Sequence, residues 1–171
     1  MASPPPETHK LLVSHLRECV SGEWSVVAYG DNQGRRRTLV GAFGSGKKRF
    51  YSTVGVFEKH LPVPWGSFEL AAFGSQTWLP NSLASSLYWL EGRSIDAWPL
   101  VCEDVIRHNA ASRYRHIAYV PSGHRLEVAP GRSMQWLLGV PLSDKEIGLT
   151  NEDAGARAAK IYPDWLVTSD A

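Results

Sequence analysis

The chain has 171 residues, 43% hydrophobic and 20% charged, with seven Trp and a formal net charge of +1. A chain of that length buries about 70% of its unfolded surface, and this apolar content excludes a largely disordered chain. The near-neutral charge gives no electrostatic reason for nucleic acid or an anionic membrane to be the main partner.

The amino terminus, Met1-Ala-Ser-Pro-Pro-Pro-Glu7, lacks the basic and apolar segments of a secretion signal. No run approaches the roughly 18 apolar residues of a membrane span. Cys19 and Cys102 are the two cysteines, and without Cys-x-x-Cys spacing they fit reduced thiols. The expectation is a cytoplasmic protein with a single domain over 1–171, in which 1–7 is a disordered lead-in.

Leu12, Leu16, Cys19 and Val20 recur at helical spacing, and Thr8 is placed to cap them, which predicts a helix over 8–20. The period then drops to two. Trp24, Val26 and Ala28 alternate with Ser25, Val27 and Tyr29, Asp31-Asn-Gln-Gly34 is turn chemistry, and Leu39, Gly41 and Phe43 resume the alternation. A second turn at Gly44-Ser-Gly46 leads into 49–56, so three strands form a meander. Residues 58–66, with Pro62, Pro64 and Trp65, read as a loop before a strand over 67–73, expected to bury Phe68, Leu70 and Ala72 and to turn Glu69 and Ala71 away.

From Asn81 the pattern is helical, with Leu83, Leu87 and Leu90 on one face and Asn81 or Ser82 as the cap. The stretch 98–109 suits a short helix or a bent strand. Strands over 115–119 and 134–140 flank a turn at Pro121-Ser-Gly-His124. Met134 to Val140 is an apolar run of strand length that ends before Pro141, and Ser143 with Glu146 has capping-box spacing for a following helix. A closing helix over 151–162 is rich in alanine.

Gly41-Ala-Phe-Gly-Ser-Gly46-Lys47-Lys48 imitates a phosphate-binding loop, but Lys48 stands where a hydroxyl should reach magnesium. Residues 49–56 alternate as a strand, so no helix N-terminus faces the phosphates, and the segment reads as a hairpin turn. Arg35-Arg-Arg37 and Lys47-Lys-Arg49 flank opposite ends of one strand. Ten residues at about 3.3 Å each separate them by roughly 30 Å, so they do not form one patch.

Six histidines show no His-x-x-x-His pairing. Asp104 and His108 are one turn apart if 98–109 is helical, and they read as a surface ion pair. Gly44-Ser-Gly46 and Gly66-Ser-Phe68 lack the Gly-x-Ser-x-Gly elbow, and Ser75 is followed by Gln76, which offers no partner. Glu103 and Asp104 are adjacent and diverge. No catalytic residue, cofactor or metal site is assigned. The aromatic inventory remains: Trp65, Trp78 and Trp98 lie in or beside loops, and Trp is the side chain that most often anchors an interface.

Thr53-Val-Gly-Val56, Phe68-Glu-Leu-Ala-Ala-Phe-Gly74, Gly123-His124 and Gly139-Val-Pro-Leu-Ser-Asp144 occur in that order. Together they resemble the suppressor-of-fused domain family, in which a Thr-x-Gly strand precedes a loop, a Glu-Leu strand, a helix, a Gly-His turn and a late apolar-Pro-apolar strand. The match spans roughly 26–149. The fold expected is α+β, a largely antiparallel sheet of five or six strands packed with N-terminal, central and C-terminal helices.

The resemblance implies a function as well. Small bacterial members are similar to immunity proteins, which bind and neutralise a toxin, whereas the longer animal member sequesters a transcription factor. The expectation is therefore a non-catalytic protein-binding module whose partner is a cognate protein toxin, with no small-molecule substrate, nucleic acid or membrane. Candidate partner contacts are Trp65, Trp78, Trp98 and His124. Two alternatives stay open: a small hydrolase-like enzyme with a loop-borne site, which a deep pocket joining His60, His124 or Asp104 with a polar partner would support, and a regulatory nucleic-acid binder using the basic turns, which a steep salt dependence of DNA binding would support.

Overall fold

The computed structural model describes residues 4–59, 61, 63, 66–95, 97–107 and 110–167. In chain order the elements are α1 (Glu7–Cys19), β1 (Trp24–Gly30), β2 (Arg37–Phe43), β3 (Arg49–Val54), β4 (Phe68–Gly74), α2 (Leu79–Leu90), β5 (Leu100–Cys102), β6 (His116–Ala129), β7 (Arg132–Leu142) and α3 (Asn151–Ile161). Single 3-10 turns occupy Val56–Glu58 and Asp144–Glu146. One sheet runs in the order β1-β2-β3-β4-β7-β6-β5.

The α+β class agrees with expectation, but the sheet has seven strands and is mixed. The additional strand is β5, which resolves the ambiguous stretch 98–109 as a three-residue edge strand antiparallel to β6; His108 and Asn109 lie outside the described residues. The sheet is mixed because β4 and β7 pair parallel, from Phe68↔Gln135 to Ala71↔Leu138. Local periodicity reports that a strand forms but carries no information about which distant strand lies beside it.

Other expectations shift for local reasons. Residues 121–124 are not a turn, because β6 runs through them as one 14-residue strand with a register shift between Pro121 and Arg125. The extra residues are absorbed as a bulge, and Ser122 Oγ repairs the ladder by accepting the Trp136 N–H at 3.3 Å. The strand at 134–140 extends to Leu142, and Pro141 pairs with Ile117. Register with β4 ends at Leu138, so β7 has no described strand on its other side there. Ser143 and Glu146 do join, with the Ser143 N–H donating to Glu146 Oε2 at 2.8 Å, but over one 3-10 turn rather than a full helix. Thr8 lies inside α1 and donates to Glu58 at 2.6 Å instead of capping. Helix α2 starts at Leu79, before Asn81, with Pro80 in its first turn.

Two cores result, one on each face. Helices α1 and α3 cover one with Leu12, Leu16, Ala154 and Ala158, packed on Trp136 of β7, and α2 covers the other with Leu83, Leu87 and Leu90. Strand β4 is therefore buried on both faces: Phe68, Leu70 and Ala72 join the α2 core, while Ala71 and Glu69, expected to face away, are both 0% exposed. Near the strand centre Gly139 carries a packing demand, since a Cβ there would lie 3.0 Å from Ala71 O. Truncating Leu70, which is fully buried, removes contacts the α2 core cannot refill. Leu70→Ala is expected to lower unfolding free energy by about 2–5 kcal/mol in urea titration; a loss below about 1 kcal/mol would contradict this packing.

Candidate functional site

Burial, charge and exposed apolar surface concentrate at three places. The first is Glu69. Register between β3 and β4 ends at Ser52↔Ala71, and one residue further the ladder is taken over by side chains. Thr53 Oγ1 accepts the Leu70 N–H at 2.8 Å and donates to Glu69 Oε2. Glu69 Oε1 accepts from the N–H groups of Gly55 (2.8 Å) and Phe57 (3.2 Å), capping the 3-10 turn. Burial pushes the Glu69 carboxyl up to about 7, against these donors, which favour its ionised form. Gly55 has φ +93°, and a Cβ there would meet His9 Nε2 at 2.5 Å, so both conformation and space require glycine.

The second place holds His124. Its Nε2 lies 2.9 Å from His15 Nε2, with ring planes 16° apart, and both rings stack on Trp136 while Trp165 meets them edge-on. One imidazole donates and the other accepts, so a proton on both rings breaks the bond. Burial lowers both: for His15 it outweighs the opposing charge of Glu18, and for His124 it acts together with the His15 charge. Cys19 Sγ lies 3.6 Å from His15 Nε2. Burial and then Glu18 push its thiol up, so the pair is thiol and imidazole rather than an activated thiolate. Cys19 and Cys102 are both free. Among the described residues no group of three or more His, Cys, Asp or Glu side chains is placed to hold a metal ion.

The third is the exposed apolar strand β1 at the sheet edge. Trp24, Val26 and Val27 on β1 are 47%, 37% and 49% exposed. Trp24 and Val26 point to the α1 side, where a groove of about 330 Å³ is lined by Val13, Trp24, Val26, Leu39 and Val54 together with His9 and Lys10, and Val27 points to the opposite side of the sheet. The Arg17 guanidinium lies 4.8 Å from the Trp24 ring centroid.

The sequence-predicted contacts fall unevenly on this surface. Trp78 is 6% exposed and packs in the α2 core, so it offers a partner almost nothing; Trp98 is half-buried against the same core. Trp65 and His60 lie outside the described residues. His124 is half-buried and engaged by His15, whereas Asp104 faces Arg107 and Arg115 and lines a groove with Ser85, Tyr88 and Glu103. Arg36 is held by Glu91 at 2.9 Å and Arg49 by Glu23 at 3.4 Å, which divides the basic turns into local pairs. Trp24 and Val26 were read only as strand residues; the absence of any charged residue from 24 to 30 was the available signal. The spacing of His15 and Cys19 on α1 was readable too, but not their meeting with a residue 109 positions later.

Compared with protein-family models, curated proteins and solved structures, the chain matches none.

Both titrating sites carry pH consequences of opposite sign. Glu69 holds its proton to about 7 when folded and to its ordinary 4.5 when unfolded, so stability falls as pH rises between these values. The total is about 3 kcal/mol. Glu69→Gln is expected to abolish that slope in urea midpoints measured from pH 4 to pH 8; an unchanged slope would refute the assignment. For His15 and His124 the folded rings titrate below the ordinary 6.5, so stability falls as pH drops from 6.5 through their lowered values. The difference between the wild-type and His124→Gln profiles should isolate this loss on the acid side, and parallel profiles would exclude the pair as its source.

Proposed function

We propose that this chain is a non-catalytic protein-binding module of the suppressor-of-fused type, a cytoplasmic immunity protein that binds and neutralises a bacterial toxin. The observation that carries the reading is the exposed apolar pair Trp24 and Val26 beside the groove between α1 and the sheet. Interfaces draw most of their energy from a few aromatic and apolar anchors packed at a desolvated centre, and Trp leads that group. Trp24 has the exposure for this role that Trp78 lacks. Thr53, Gly55 and Glu69, which belong to the motifs of the family resemblance, are engaged in structural hydrogen bonds behind this groove.

Silencing a toxin by occupancy alone requires nanomolar affinity, about −12 kcal/mol, and a standard interface of roughly 800 Å² per partner can supply it. Co-expression with the toxin encoded beside this gene is expected to rescue growth in proportion to the ratio of the two proteins, which should co-purify in equal amounts. Trp24→Ala should weaken the complex roughly tenfold or more. Rescue at strongly substoichiometric levels would instead indicate turnover and defeat the reading.

A further inference from the structure

Strand β1 ends the sheet, and its ladder with β2 is unbroken from Trp24↔Phe43 to Gly30↔Arg37. Beyond its ends, Glu23 O accepts the Gly44 N–H at 2.9 Å and the Asp31 N–H donates to Arg36 O at 3.2 Å. These bonds set the alternation. Odd-numbered residues of β1 bond to β2, and the N–H and C=O groups of Trp24, Val26, Ala28 and Gly30 point out of the sheet. Edge strands are ordinarily blunted by a charge, a proline, a bulge or a covering element. Trp-Ser-Val-Val-Ala-Tyr-Gly carries no charge, no proline and no register shift, and its first four residues are exposed.

We propose that β1 pairs antiparallel with β1 of a second copy about a two-fold axis at Val27, joining the two sheets into one. In this register Val26 lies across from Ala28 of the second copy and Trp24 across from Gly30, so every outward N–H and C=O of both strands is bonded. A shift of one residue opposes groups already bonded to β2, and a shift of two leaves the groups at one end unpaired. Side-chain sizes select the same register. Trp24 covers Gly30, Val26 sits beside Ala28, Ser25 beside Tyr29 and Val27 against its own counterpart, so large meets small along the ladder. A neutral strand meets a neutral strand, and just outside the ladder Glu23 stands across from Asp31 of the second copy. Each of these carboxylates already has a local partner: Arg49 for Glu23, and the N–H groups of Gln33 and Arg35 for Asp31.

A ladder of seven residues at about 3.4 Å per residue is about 24 Å long. Alone it presents less than the roughly 800 Å² per partner of a standard interface, so the dimer is reversible and concentration-dependent. The inference does not rest on the toxin reading, because the chain is tested by itself.

Sedimentation equilibrium of the full chain over a micromolar to millimolar series should show a monomer–dimer equilibrium. Val27→Lys and Val27→Glu should each leave a monomer with an unchanged thermal melt, since this side chain is half-exposed in the single copy. An equimolar mixture of the two variants should recover the dimer, because the axis puts opposite charges face to face. A monomer throughout the series, a dimer indifferent to either variant, or a mixture that stays monomeric would each overturn the proposal. So would a monomeric chain whose complex with the toxin is lost in Val27→Lys, which would assign the edge to a strand of the toxin.

Discussion

A carboxyl with no access to water holds the centre of this fold together. Strands β3 and β4 separate after Ser52↔Ala71, and the groups freed there would be buried without partners. The Thr53 hydroxyl takes the Leu70 N–H, and Glu69 takes that hydroxyl together with the N–H groups of Gly55 and Phe57. One side chain thus ends a ladder, starts a 3-10 turn and fixes the direction in which the chain leaves the sheet. The same turn supplies Glu58, which accepts from Thr8 and lies 3.0 Å from His9 Nε2, so the start of α1 is docked through residues that Glu69 positions.

Next to this lock β4 pairs parallel with β7, the one parallel pair among the described residues, and the residues at its centre are correspondingly apolar or satisfied. The Trp136 indole N–H donates to Ser52 Oγ at 3.0 Å. Where the parallel register ends, the Tyr162 hydroxyl lies 2.9 Å from Ala71 O and 2.7 Å from Gly139 O, so one proton serves two carbonyls in turn. Tyr162 follows α3, and its burial pushes the phenol well above its ordinary range. The C-terminal helix is therefore tied to the sheet by a hydrogen bond as well as by Ala154 and Ala158 packing against it.

Packing explains where partners have room. Helices α1 and α3 lie over one face and α2 over the other, closing the centre of the sheet on both sides, but β1 reaches beyond them. Polar side chains that sequence motifs bring to mind as chemistry are absorbed into structure: Glu69 as a cap, His124 as the partner of His15, Asp104 among arginines. The unabsorbed surface is apolar and strand-shaped.

Periodicity and punctuation were enough to place most helices and strands: the spacing of Leu83, Leu87 and Leu90 reports a buried helix face, and alternation at 24–29 marks an extended segment although no residue of β1 is fully buried. The Gly44-Ser-Gly46 hairpin and the Ser143–Glu146 pair were legible for the same reason: each depends on residues within a few positions of one another. The bulge at 121–124 was not, because Pro-Ser-Gly-His has turn chemistry and only the Trp136 N–H arriving from β7 turns it into a kink within one strand. Nor was the two-sided burial of β4, which follows from helices packed on both faces of the sheet. Local residue types determined which segments are helical or extended. The tertiary structure alone decided that Glu69 is buried, that His15 meets His124 and that β1 is left at the edge, because each depends on groups brought together from distant parts of the chain.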